Sequence, residues 1–126
     1  MPGDRIRIVI VEDNKVFREA LELLLSMRTD LEVVATVADG EEAIATCHEH
    51  DPDVVLMDYR LPGRDGIDST RALLAACPSV KVVGLTASAN RTEMQALREA
   101  GAVECLTKDQ DLEEIVGAVH AAVGRG

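Results

Sequence analysis

A chain of 126 residues with 47% hydrophobic and 29% charged content has the size and composition of one globular domain, able to bury a core without disulfides or metals. No apolar run approaches the roughly 20 residues of a membrane-spanning helix, and the N-terminal MPGDRIRIVIVEDN lacks the order of a signal peptide, so a cytoplasmic location is expected. The net charge of −10, from 23 acidic against 13 basic residues, sets most of the surface against nucleic-acid phosphates and anionic lipid, and neither direct nucleic-acid binding nor membrane association is expected.

Two periodicities alternate along the chain. Arg5 to Val11 (RIRIVIV) is a β-branched run of strand length, and VFREALELLLSM follows with Phe17, Leu21, Leu24 and Leu25 at helical spacing. LEVVATV (31 to 37) and DGEEAIATCHEH (39 to 50) repeat the pair, with Asp39 as the helix cap and Pro52 after the helix end. DVVLMD (53 to 58) predicts a third strand, and Ile67 to Ala76 a third helix stopped by Pro78. KVVGLT (81 to 86) precedes a helix from about Thr92 to Ala100, ended by Gly101. VECLT (103 to 107) and DLEEIVGAVHAAV (111 to 123) close the series, the latter with Leu112, Ile115, Val116, Val119 and Val123 in one stripe. That stripe suits either core or a dimer surface, with core the expectation.

Five strand–helix pairs on short loops imply a parallel sheet, because parallel neighbours need a crossover and a helix supplies it. Strands such as IVIV and VVLM, apolar without alternation, suit a sheet covered on both faces. The expected fold is α/β, a single-domain (βα)5 doubly wound sandwich of flavodoxin-like topology. One domain spans 1–126, with its core at about 5–123; Met1 to Asp4 and the final GRG are loose ends, the latter a free terminus or the start of a linker. The cysteines Cys47, Cys77 and Cys105 have neither a CxxC pair nor zinc-site spacing and read as buried reduced thiols. His48 and His50, two positions apart on a helix, point about 200° from each other and read as surface residues rather than a metal pair.

Ligands of an open parallel sheet sit at the carboxyl edge of its strands. Sorted by strand end, Glu12 and Asp13 follow the first strand, Asp58 the third, Thr86 the fourth and Lys108 the fifth, so five functional side chains are predicted to share one pocket. Each alone has a plainer reading: a helix cap, a turn residue, a solvated lysine. Together they are harder to dismiss, because carboxylates at 4 Å repel by about 4 kcal/mol per pair at an effective dielectric near 20. Lys108 supplies one compensating charge, and a hard divalent cation with oxygen ligands supplies the rest; Mg²⁺ fits.

VEDN after the first strand, MDYRLPGRDG after the third, LTA at the fourth and LTK at the fifth resemble the receiver domain of two-component response regulators over nearly the whole chain. The resemblance implies that Asp58 accepts a phosphoryl group from a phosphohistidine on a sensor histidine kinase. It implies that Asp13, Asp58 and the Arg60 carbonyl hold Mg²⁺, with Glu12 acting through water, and that Thr86 and Lys108 hold the phosphoryl oxygens. Thr86 would then move toward the phosphoryl group, draw in the loop to Ser88, and reshape the face of the fourth helix, fifth strand and fifth helix. The turn YRLPGRDG is expected to leave Asp58 open to solvent and donor, with Gly66 letting the backbone turn and Asp65 capping the next helix.

Three residues depart from the family pattern. Cys105 stands where receivers carry a mobile aromatic, and a small thiol cannot fill the same volume, so a weaker or differently routed signal at the fifth strand is expected. Asp109 replaces the proline that often follows the lysine, as in the subgroup with a helix-turn-helix output of NarL/LuxR type. Arg60 places a long cation beside the pocket, which predicts slower loss of the phosphoryl group than in Arg60→Ala. The implied function is a signalling switch, not an enzyme with an outside substrate, passing its state to an output domain or partner, with a phosphorylation-dependent homodimer as a further expectation. Rival readings are a phosphorylation-independent adaptor and an aspartyl-nucleophile phosphatase, the latter weakened by Arg60 where a general acid belongs. A nucleotide or flavin binder lacks its glycine-rich loop, since EDNK follows the first strand.

Overall fold

A computed structural model describes residues 5–61, 65–87 and 90–124. The expectations for Met1 to Asp4, for the turn at 62–64, for Ser88 and for the last two residues lie outside them. Strands and helices alternate: β1 (Ile6–Val11), α1 (Lys15–Ser26), β2 (Leu31–Val37), α2 (Gly40–His50), β3 (Val54–Asp58), α3 (Gly66–Ala76), β4 (Lys81–Thr86), α4 (Arg91–Ala100), β5 (Glu104–Thr107) and α5 (Leu112–Ala122). Each lies within one or two residues of where periodicity places it.

The helix starts are local chemistry. Asn14, Asp39, Asp65, Asn90 and Asp111 each stand just before a helix and accept a hydrogen bond from the backbone N–H three residues on, at 2.9 to 3.1 Å. The first helix therefore takes Asn14, not Asp13, as its cap, which leaves the Asp13 carboxylate for other work. Gly101 ends α4 at φ 123°, a conformation that favours glycine, and Asp51 ends α2 at φ 50° ahead of Pro52.

The strands pair in parallel in the order β2-β1-β3-β4-β5. Alternate residues of each central strand feed opposite cores, as a two-residue period requires. Ile6, Ile8, Ile10, Leu56 and Leu85 pack with Leu21 and Leu25 of α1 and Ile115 and Val119 of α5. Val9, Val11, Val55, Met57 and Val82 pack on the other face with Cys47, Leu73 and Leu97 of α2, α3 and α4. This two-sided cover is why the strands read as unbroken apolar runs. The stripe on α5 belongs to the first of these cores, with Ile115, Val116 and Val119 buried and Leu112 and Val123 at its margin.

The thiols divide differently from the expectation. Cys47 and Cys105 are buried, whereas Cys77 is only half-buried because it caps the end of α3; none of the three forms a disulfide. His48 is exposed, with Nε2 3.9 Å from the Cys77 sulfur, and His50 is half-buried.

Candidate functional site

Strands β1 and β3 lie side by side, and their pairing runs to Val11 opposite Met57. The next residue of each chain is acidic, so Glu12 and Asp58 emerge together at the carboxyl edge. That is also the point where the strand order reverses, with β2 on one side of β1 and β3 on the other. Glu12 is fully buried and Asp58 is 2% exposed. Exposed Asp13 completes the group: one carboxylate oxygen from each of the three lies within 4.8 Å of the others.

Lys108, held after β5 by donation of its backbone N–H to the Thr86 carbonyl at 2.8 Å, sends its ammonium into this group. Its Nζ lies 2.7 Å from Glu12 Oε1 and 3.2 Å from Asp58 Oδ2. The same ammonium sits 5.0 Å from the centre of the Phe17 ring, which shelters it from α1. The remaining carboxylate oxygens have backbone donors: Glu12 Oε2 accepts from the Asn14 N–H at 3.0 Å, and Asp58 Oδ1 from the Arg60 N–H at 3.2 Å. Glu12 is further fixed through its carbonyl, which accepts from Arg18 Nη1 at 2.7 Å.

Among the described residues, two buried carboxylates face one ammonium, which leaves this group short of positive charge. Burial, reinforced by the Glu12 charge, pushes the Asp58 carboxyl up to about 7, against the opposing pull of Lys108 and the Arg60 N–H. Burial acts to lower Lys108 as well, but its contacts with Glu12 and Asp58 outweigh it and hold the ammonium above its ordinary value. A donor set of three oxygen acids with a residual negative charge fits a hard divalent cation, and Mg²⁺ in particular.

Asp58 is less open than the turn suggested. Both of its oxygens are occupied, one by Lys108 and one by the Arg60 backbone, and the side chain is 3% exposed. The role of Gly66 also differs from the expected one. A β-carbon there would lie 2.3 Å from the Asp58 carbonyl oxygen and 2.8 Å from the Tyr59 α-carbon, so glycine is required by close approach and not by a left-handed turn. The Gly66 N–H donates to the Tyr59 carbonyl at 2.7 Å, pinning the start of α3 against the acidic strand end.

Of the five residues predicted to meet, Glu12, Asp13, Asp58 and Lys108 converge. Thr86 stands at the same edge, 1% exposed, with its hydroxyl donated to Glu93 Oε1 of α4 at 3.0 Å. Arg60 keeps its backbone at the acidic group while its guanidinium lies 3.3 Å from Glu93 Oε2 and 5.7 Å from the Tyr59 ring. Cys105 is 4% exposed; its sulfur donates to the Met94 carbonyl of α4 at 3.4 Å and fills the space beside Gly84. Glu93 stands outside the residues expected from the sequence to share this site. The spacing Asn90-x-x-Glu93 reads as a capping box, which assigns that carboxylate to its own helix. The ring of Phe17, one of the apolar residues at helical spacing on α1, also meets Lys108, a contact that joins two ends of the chain and that periodicity does not show.

Comparison with known proteins agrees with this geometry. Residues 8–120 match the model of the response regulator receiver domain family. Transcriptional regulatory protein LnrK of Bacillus subtilis (strain 168) is 40% identical over 114 residues, covering 90% of this chain and 52% of LnrK. Transcriptional regulatory protein DegU of Brevibacillus brevis is 34% identical over 123 residues, covering 98% and 52%. The chain thus spans about half the length of these relatives. Among solved structures, a LuxR-family two-component response regulator from Aurantimonas sp. SI85-9A1 superposes with a TM-score of 0.89 at 34% identity, covering 94% of this chain and 85% of that one. The signal receiver domain of NarL from Mycobacterium tuberculosis gives a TM-score of 0.89 at 33% identity, covering 97% and 99%. With its strand order, its acidic edge and these relatives of NarL/LuxR type, the chain belongs to the response regulator receiver domain family.

Proposed function

We propose that the chain is a phosphoacceptor switch in which Asp58 takes a phosphoryl group from a phosphohistidine of a sensor histidine kinase. The observation that carries this reading is the Lys108 ammonium, 2.7 Å from Glu12 and 3.2 Å from Asp58, inside a buried carboxylate group at the sheet edge. A carboxylate oxygen of Asp58 attacks phosphorus, the phosphorus–nitrogen bond breaks, and the imidazole leaves with its electron pair. The chain's own contribution is positioning and charge. β3 and the Gly66 contact hold the nucleophile, and Lys108 offers a point charge to the arriving oxygens.

Asp13, Asp58 and the Arg60 carbonyl are the groups assigned to Mg²⁺, with Glu12 acting through water. When bound, the ion would neutralise the acidic edge and offset the negative charge of the incoming phosphoryl group. Thr86 is assigned to a phosphoryl oxygen once its bond to Glu93 is exchanged. An output module, of helix-turn-helix type by analogy with relatives about twice as long, would read the resulting shape, in monomeric or dimeric form. Three unpaired thiols suit a reducing cytoplasm, and no helix among the described residues is long and apolar enough to cross a membrane.

The test is intact-mass measurement after incubation with Mg²⁺ and acetyl phosphate. The protein should gain one phosphoryl group, absent without the metal and absent in Asp58→Asn. Undiminished gain in that variant would place the acceptor elsewhere.

A further inference from the structure

Both carboxylate oxygens of Glu93 are engaged, and neither serves its own helix. Oε1 accepts from the Thr86 hydroxyl at 3.0 Å, and Oε2 faces Arg60 Nη2 at 3.3 Å. Glu93 stands at the third position of α4, where a glutamate commonly reaches back to the cap, and its N–H is satisfied by Asn90 at 3.1 Å. Its side chain is 13% exposed while that of Arg60 is 75% exposed. An ion pair with so exposed a partner counts for little by itself. The hydrogen bond from a buried hydroxyl to a mostly buried carboxylate counts for more.

We propose that Glu93 is a positioning residue that latches Thr86 to α4 in the resting protein, with Arg60 as the strap that holds the Glu93 carboxylate in place. This rests on the reading of Asp58 as the phosphoacceptor. Arg60 joins the two regions directly, since its N–H donates to Asp58 Oδ1 while its guanidinium pairs with Glu93. A phosphoryl group on Asp58, carrying about −1.5 to −2 charges, competes with Glu93 for the Thr86 hydroxyl. No covalent bond changes in this exchange; one donor moves from one acceptor to another. Glu93 is then left mostly buried without the Thr86 hydroxyl, which is costly, so the first turn of α4 has to move. The latch therefore sets how much of the resting population the modification must overcome. It also supplies a route from Asp58 to α4 that does not require an aromatic at Cys105.

The experiment uses the 126-residue chain as wild type, Glu93→Ala, Glu93→Gln, Arg60→Ala and the double alanine variant. Beryllofluoride in excess Mg²⁺ mimics the phosphoryl group, and NMR follows both its saturation and the Thr86 side-chain rotamer. All these substitutions leave the Arg60 carbonyl in place. Glu93→Ala should saturate at about tenfold lower beryllofluoride, the loss of one charge-assisted bond favouring the resting form. Glu93→Gln should fall between, because its amide oxygen still accepts from Thr86 but offers no charge to Arg60. The double variant should match Glu93→Ala alone, since strap and latch act as one unit. The resting Thr86 rotamer should change in Glu93→Ala. An unchanged rotamer and an unchanged midpoint, with wild type still saturable, would overturn the latch and leave the phosphoacceptor reading intact; additive shifts would overturn the strap. Failure of every variant, wild type included, to take up beryllofluoride would overturn both.

Discussion

Replacing Asp58 with asparagine should make the metal-free protein more stable at pH 8, although it removes the central residue of the site. Ionised Asp58 is held 2% exposed beside fully buried Glu12, and among the described residues Lys108 and one backbone N–H compensate. At 1.36 kcal/mol for each tenfold change in proton affinity, a carboxyl moved from 3.8 to about 7 costs the ionised fold on the order of 4 kcal/mol. The unfolded chain releases this proton near pH 4 and the folded chain near pH 7. Between these values the folded state binds more protons, so wild-type stability should fall as pH rises through the window and level off above it. Asparagine keeps the shape and the acceptor for the Arg60 N–H, carries no charge, and should lack that slope. Urea denaturation in EDTA at pH 5 and pH 8 gives the measurement, read as the difference between the two proteins so that other groups cancel. Mg²⁺ should reverse the order above pH 7, because it stabilises the wild-type carboxylate in competition with protons and finds one charge fewer in the variant. An asparagine variant less stable than wild type at pH 8 without metal would refute the reasoning, for it would show that Lys108 more than compensates for burial.

Lys108→Ala removes the cation between Glu12 and Asp58 and should cost about 3 kcal/mol at pH 8, with Asp58 driven further up; chemical denaturation and a carboxyl NMR titration check the two halves. Since the folded-state value of Lys108 is raised, its stabilising contribution should be complete below pH 10 and disappear as pH climbs through that raised value, visible as alkaline loss of stability in wild type but not in the alanine variant. Gly66→Ala forces a β-carbon to 2.3 Å from the Asp58 carbonyl and should destabilise by about 1–3 kcal/mol while lowering phosphoryl uptake by intact mass. Native thiol labelling should modify Cys77 alone, with Cys47, pushed up to about 12 by burial, and Cys105 reacting only on unfolding, as peptide mapping after a timed reaction would show.

Much of the fold could be read from the sequence because its determinants are local. An Asn or Asp before each helix, a two-residue or 3.6-residue apolar period, and Gly101 at a helix end act within a few residues of where they are written. The acidic edge was equally legible, since a parallel sheet brings all strand ends to one side and so carries Glu12, Asp58 and Lys108 toward each other whatever the details of packing. What the tertiary structure alone decided is where each side chain turns once it arrives. The burial of Asp58 depends on Lys108, which arrives fifty positions later. The need for glycine at 66 follows from a backbone it approaches seven and eight positions upstream, and the half-exposure of Cys77 from the end of the helix that it caps. Glu93 satisfies a local rule in sequence and breaks it in space, because Thr86 and Arg60 come from two other elements and offer its carboxylate more than its own helix does. Periodicity records which residues face inward, but the choice among acceptors is made by neighbours distant in the chain, and only the assembled sheet brings them within reach.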